Sequence, residues 1–299
     1  MQKLFAGFRS VDFLTIIYIS GIATILLFFH NTVDKWLLFI LTHLVVLAAI
    51  WSLIRIEKNT HSKILTLLRD IYPLLLFTFM FLEVSKIIHI FFPFWLEPYL
   101  IRTDLWLFGV HPAVWVESVY NPHLMEFMAF SYWTYYFFFP LGMIVHYFRK
   151  DQTTFHSYIF TISFAMYFCY FSYLFLTARG PHDSLAYLQV THEYAGFFDR
   201  VIRTMQTRAS IHGAAFPSSH VAAVWIVLIY LFKYKKWVGY ISLPLVLSLS
   251  VSVIFMQYHY AVDSLAGILI VPPIYYSAQY FQKKLDFNRL MPPKNVTKI

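Results

Sequence analysis

Runs of about 20 apolar residues, the length that crosses a bilayer, recur along this chain and leave a helical bundle in lipid as the fold to expect. Eight are legible, at 11–30, 36–54, 71–92, 127–148, 155–176, 216–232, 238–256 and 262–281. Charged residues make up only 13% of the 299, while 59% are hydrophobic. A soluble domain carries about 25% charged residues, so most of this surface faces something other than water. The expected class is therefore an all-α, polytopic integral membrane protein. Cys169, the single cysteine, lies inside an apolar run, cannot form an intrachain disulfide and leaves the redox compartment unreadable. The first run follows Lys3 and Arg9. It is long for the apolar part of a signal peptide and lacks a small-residue cleavage site, so it reads as an uncleaved span.

The net charge of +8 suggests nucleic acid only until its distribution is inspected. With a cytoplasmic amino terminus, 16 of the 23 Lys and Arg fall on inside segments, six on outside segments and one, Lys86, within a span. That bias fits an even number of spans with both termini cytoplasmic and accounts for the charge without a nucleic-acid partner. The inside loops are short and basic, and the 282–299 tail belongs with them. Two outside loops are long, roughly 93–126 and 177–215. The first carries Trp95, Trp106 and Trp115 among Pro and acidic residues, a mix that suits the membrane interface. The sequon Asn295-Val296-Thr297 falls on the cytoplasmic tail and is taken as chance.

In this topology three polar clusters share the outer face: Arg179 to Asp183, Pro217 to His220, and His259 to Asp263. Pro217 suits a first helical turn, leaving the N–H groups of Ser218, Ser219 and His220 facing outward as an anion site at the positive end of the helix dipole. His259 and Asp263 are spaced i, i+4 and share a helix face. Asp263 can then accept from one ring nitrogen and fix the tautomer, freeing the other to attack. His220 can protonate a leaving oxygen, and the planar fork of Arg179 can hold a phosphate. Each pattern alone also reads as a helix start or a structural pair. Their meeting at span mouths favours chemistry. His182, His192 and His212 share the outer loop and make a zinc site conceivable, but no Cys or H-E-x-x-H pattern joins them, and solvated loop histidines are the expectation.

Phe216-Pro217-Ser218-Ser219-His220 and His259-Tyr260-Ala261-Val262-Asp263 resemble the second and third signatures of the type 2 phosphatidic acid phosphatase superfamily, whose membrane members share a six-helix core with vanadium-dependent haloperoxidases. The resemblance covers roughly 71–281 as a catalytic core, with 1–70 as two added spans. It implies His259 as the nucleophile that becomes phosphohistidine, Asp263 as its orienter and His220 as the acid, with Ser218 and Ser219 lining the phosphate site beside Arg179 and Pro181. It implies no metal or other cofactor for hydrolysis. The chain departs from the pattern in three places. Ser219 stands where many members have Gly. Val253 follows Ser252 where the third signature has Arg. Ser172 stands where the first signature has Lys, and Gly180 separates Arg179 from Pro181. Arg200, Arg203, Arg208 and Lys86 are the cations left to meet a phosphate. Lys86 and Glu83 are spaced i, i+3, which permits an ion pair. Alternatively, Lys86 serves the phosphate.

The implied activity is hydrolysis of a lipid phosphomonoester or diphosphate at the outer face. A second reading is transfer to an alcohol or lipid acceptor, since inositol phosphorylceramide synthases resemble this chain in the His-Tyr-x-Val-Asp motif and in lacking the preceding Ser-Arg. A third is a lipid-binding or transport protein that kept the fold alone. Tyr132, Tyr135 and Tyr136 either line a pocket or are interface aromatics, and the second is the expectation. The oligomeric state is not legible.

Overall fold

The computed structural model describes residues 7–60, 62–147, 152–190, 193–209 and 212–290, without the side chains of 208, 209 and 287–290. His192 and the 295–297 sequon lie outside the described residues, as does the side chain of Arg208. The described chain is helical throughout. In order the helices are α1 (Ser10–Phe28), α2 (Trp36–Thr60), α3 (Lys63–Ile87), α4 (Glu97–Phe108), α5 (Pro112–Trp115), α6 (Pro122–Trp133), α7 (Tyr135–Tyr147), α8 (Gln152–Tyr173), α9 (Pro181–Ser184), α10 (Phe197–Ala209), α11 (Ser219–Tyr234), α12 (Lys236–Phe255), α13 (Ala261–Leu269) and α14 (Val271–Leu290).

Local chemistry sets the boundaries. Asn121 caps α6 by accepting from His123 N at 2.9 Å and Leu124 N at 3.3 Å, with Pro122 opening the first turn, where its missing N–H costs nothing. Gly109 ends α4 in the left-handed region at φ 70°, which a side chain would disfavour. The 262–281 run breaks at Ile270, because Pro272 and Pro273 cannot donate into the preceding turn, and resumes as α14.

Among the described residues, five helices or helix runs are long and apolar enough to span a bilayer: Ser10–Phe28, Trp36–Thr60, Lys63–Ile87, Lys236–Phe255 and Ala261–Asp286. The expected count of eight is not reached by that measure. The 127–148 run is divided at Thr134 into α6 and α7. The apolar helix α11 is shorter, with 16 residues. The 155–176 run forms α8, rich in Tyr, Ser and Thr, and most of its residues are buried inside the bundle. A helix surrounded by protein is relieved of the apolarity that lipid demands.

Helix α8 is the axis of the bundle, with α1, α3, α7, α11 and α14 packed on it. Ionic groups join α1, α2 and α3 at one end. Arg69 on α3 donates to Asp12 Oδ2 on α1 at 2.6 Å and to Glu57 Oε2 on α2 at 3.2 Å. Tyr72 donates to Asp12 Oδ1 at 2.7 Å, and Arg9 pairs with Asp70. Arg69, Asp12 and Asp70 are all buried. The local Glu83–Lys86 pair is not formed. Glu83 is buried and meets His43 Nε2 of α2 at 2.7 Å, whereas Lys86 is exposed. Burial selects a partner from the neighbouring helix over one on the solvent side of its own.

Candidate active site

The ends of α3, α8 and α12 meet the starts of α11 and α13 at one end of the bundle. Backbone hydrogen bonds stitch the loops there. Leu96 N donates to Thr177 O at 2.8 Å, and Thr177 Oγ1 to Ile88 O at 3.1 Å. Ala178 forms a short parallel bridge with Ala214, with Ala215 N donating to Ala178 O at 3.0 Å. His182 N donates to Gln257 O at 2.8 Å, and Ser218 N to Asp263 O at 3.1 Å. The three polar clusters, remote in sequence, are thereby brought to one place.

His259 lies in the link between α12 and α13 and is 3% exposed. Its Nδ1 is 2.8 Å from the carbonyl oxygen of Ala215. A carbonyl only accepts, so Nδ1 carries the proton and Nε2 keeps its lone pair. Asp263 Oδ2 is 3.4 Å from the same nitrogen and also accepts from Tyr260 N at 2.8 Å. The tautomer is therefore set first by a backbone group, with the carboxylate as electrostatic support, whereas the i, i+4 spacing suggests the carboxylate alone. Burial lowers His259 to about 4, opposed by its bond to Ala215, so the imidazole is neutral at ordinary pH.

His220 stands in the first turn of α11, its ring centroid 5.7 Å from that of His259. Tyr132 Oη is 3.2 Å from its Nε2, and its Nδ1 is buried with no hydrogen-bond partner among the described residues. Helix α11 starts two residues later than Pro217 at the first helical position suggests. Ser218 is the N-cap, accepting from Val221 N at 3.4 Å, and Pro217 precedes it. The N–H of Ser218 is committed to Asp263 O, and Tyr173 Oη donates to Pro217 O at 3.1 Å. Of the three N–H groups expected to face an anion, those of Ser219 and His220 remain candidates, and the Ser219 N–H also faces Tyr173 Oη. The close approach of α13 to this turn needs a glycine, because a Cβ on Gly267 would sit 2.7 Å from Ser218 O.

Arg179 is held to one side. Its Nε donates to Glu97 Oε1 at 2.5 Å, and its guanidinium lies 4.7 Å from the Trp95 ring. Next to it, a Cβ on Gly180 would collide with the Tyr258 carbonyl, so the Arg-Gly-Pro sequence lets this loop press against the His259 link. Pro181 is buried and opens α9, accepting from Gln189 Nε2 at 3.0 Å. Lys86 does not line the space in front of the two histidines. Arg203 of α10 does line a chamber of about 310 Å³ that shares His182, Gln206 and Tyr258 with that space. It is positioned by Asp199 Oδ1 at 2.7 Å. His182 is half-buried and lines both spaces rather than lying in solvent, and burial lowers its imidazole. His212 is exposed and meets Asp183 Oδ2 at 2.7 Å.

Asp104 went unmarked in the sequence. It reaches from α4 to the start of α13, accepting from Ala261 N at 3.0 Å and Val262 N at 2.8 Å. Burial raises its carboxyl above the ordinary range, opposed by those two N–H groups. The 93–126 loop thus caps the helix that carries Asp263. Asp104→Ala leaves two buried donors unpaired and is expected to lower stability by about 2 kcal/mol. Thermal unfolding in detergent reads this, and Asp104→Asn, which keeps one acceptor, should recover part of the loss.

In front of His220 and His259 lies a cavity of about 580 Å³. Tyr132, Tyr135 and Tyr136 line it, contrary to the expectation of interface aromatics, and beyond them its walls are apolar apart from Thr78. The arrangement can offer a neutral imidazole lone pair, a second imidazole with an unpartnered buried nitrogen, and an adjoining arginine. A family model described as the PAP2 superfamily matches residues 98–276. No curated protein and no solved structure matches the chain.

Proposed function

Because the chain belongs to the PAP2 superfamily, we propose that it is an integral membrane lipid phosphatase working through a phosphohistidine at His259. Members of the superfamily are generally phosphatases or phosphotransferases. The observation that carries the reading is the pairing of His259 with His220, rings 5.7 Å apart, at the head of a largely apolar cavity. His259 Nε2 attacks phosphorus as the bond to the lipid oxygen breaks, and His220 protonates that oxygen. Ala215 holds the Nδ1 proton in place, and Asp263 balances the positive charge of the phosphorylated ring. Water, deprotonated by His220, then attacks phosphorus and releases inorganic phosphate and free His259. Arg203, with the N–H groups of Ser219 and His220, meets the phosphate charge that the family's missing Lys and Arg would otherwise meet. The distribution of Lys and Arg along the chain supports an extracytoplasmic site.

Purified protein is expected to release phosphate from a panel of phosphatidate, an isoprenoid diphosphate and a sphingoid phosphate with chelator present, and vanadate should inhibit the release. Phosphate release that gives way to a new phospholipid when an alcohol is added would move the assignment to a transferase. Binding of these lipids without turnover would move it out of catalysis altogether.

A further inference from the structure

The cavity continues well beyond the reacting groups. Along α3 its lining runs from Leu82 down to Ile71, which at 1.5 Å per residue is about 16 Å. Along α7 it runs from Tyr135 to Met143, about 12 Å on the same rise. Helices α3 and α7 each pack on α8, and the cavity lies along them, with Phe77 and Phe139 in ring contact at 6.1 Å between centroids as part of its wall. Below the tyrosines no charged side chain among the described residues lines it. It is also open at the side, because Leu75 is 63% exposed, Leu82 48% and Tyr136 41% while all three line it. The space therefore joins the lipid-facing surface to the two histidines. Its α3 wall lies outside residues 98–276, the part that matches the family.

We infer that this cavity holds one aliphatic chain of the phosphate-bearing lipid, admitted sideways between α3 and α7, and that its depth along α3 selects chain length. The inference rests on the phosphatase reading for the position of the phosphate. The volume suits one chain, being in the range of single small-molecule pockets. A chain that stayed in the bilayer would leave an apolar space of this size without an occupant. A headgroup could not occupy its lower part, which offers no charged partner.

The test uses full-length protein and monomeric alkyl phosphates from butyl to decyl. Their binding is measured by calorimetry, and phosphate release is measured separately. Each methylene that enters the cavity should tighten binding by up to about fourfold, until the floor is reached. In Leu74→Trp, which fills the lower cavity, the decyl-to-butyl affinity ratio should fall at least tenfold, while Leu74→Ala should keep the wild-type ratio or raise it. An unchanged ratio in a Leu74→Trp protein that still binds butyl phosphate would overturn the inference. So would a wild-type affinity indifferent to chain length. Chain-dependent binding with no phosphate release from any homologue would sink the phosphatase reading and leave the chain site standing.

Discussion

His259→Ala is expected to reduce phosphate release by roughly 10⁴-fold or more, in line with the loss of a group that forms a covalent intermediate. Protein quenched during turnover of labelled substrate should carry an acid-labile phosphate in the wild type and none in this variant. Undiminished turnover would remove His259 from the reaction. The same residue makes a pH prediction whose sign follows from its surroundings. The attacking imidazole must be neutral. An ordinary histidine becomes protonated as pH falls through about 6.5, but burial lowers His259 to about 4. The acid limb of kcat/KM, which reports the free enzyme, should therefore lie near 4. A limb near 6.5 would mean that the nucleophile is more exposed than its 3% accessibility implies.

His220→Ala should slow turnover by about 10³-fold with alkyl phosphates. The loss should shrink markedly with p-nitrophenyl phosphate, whose leaving group needs little protonation. A merely structural histidine would slow both substrates alike, so the comparison separates the acid from a packing residue. His220→Gln, which keeps a polar group beside Tyr132, should not restore the rate with alkyl substrates.

How these residues come together was only partly visible beforehand. His259 and Asp263 could be paired from their spacing, and the polar clusters could be set at span mouths, because side-chain chemistry at the end of an apolar run is a local signal. The carbonyl of Ala215 could not be seen, since a backbone acceptor carries no residue signature and reaches His259 only through the Ala178–Ala214 bridge. Asp104 was one acid among several in a Trp- and Pro-rich loop, and it contacts residues 157 and 158 positions away. The Tyr132 group was ambiguous because aromatic rings suit both a lipid interface and a cavity. Glu83 misled because helical spacing offers Lys86, and only packing reveals His43.

The ion cluster that joins α1, α2 and α3 bears on where this protein can be cut. A boundary at residue 70 looks natural from the span pattern, and the family match begins later still, at 98. Yet that boundary cuts α3 just after the two charges that tie it to α1 and α2, leaving Tyr72, which donates to Asp12, on the far side. Arg69 takes its closest carboxylate from Asp12, and Asp70 takes its guanidinium from Arg9. Trimming away the first helix alone would take Asp12 from Arg69, which keeps Glu57 of α2, and Arg9 from Asp70, which keeps only His156 at 3.8 Å, so the buried α3 charges would be left under-compensated, a costly state. The amino-terminal helix is thus tied by buried ions to α3, and a fragment trimmed to the matched segment would lose α3 itself and with it one wall of the cavity in front of His220 and His259.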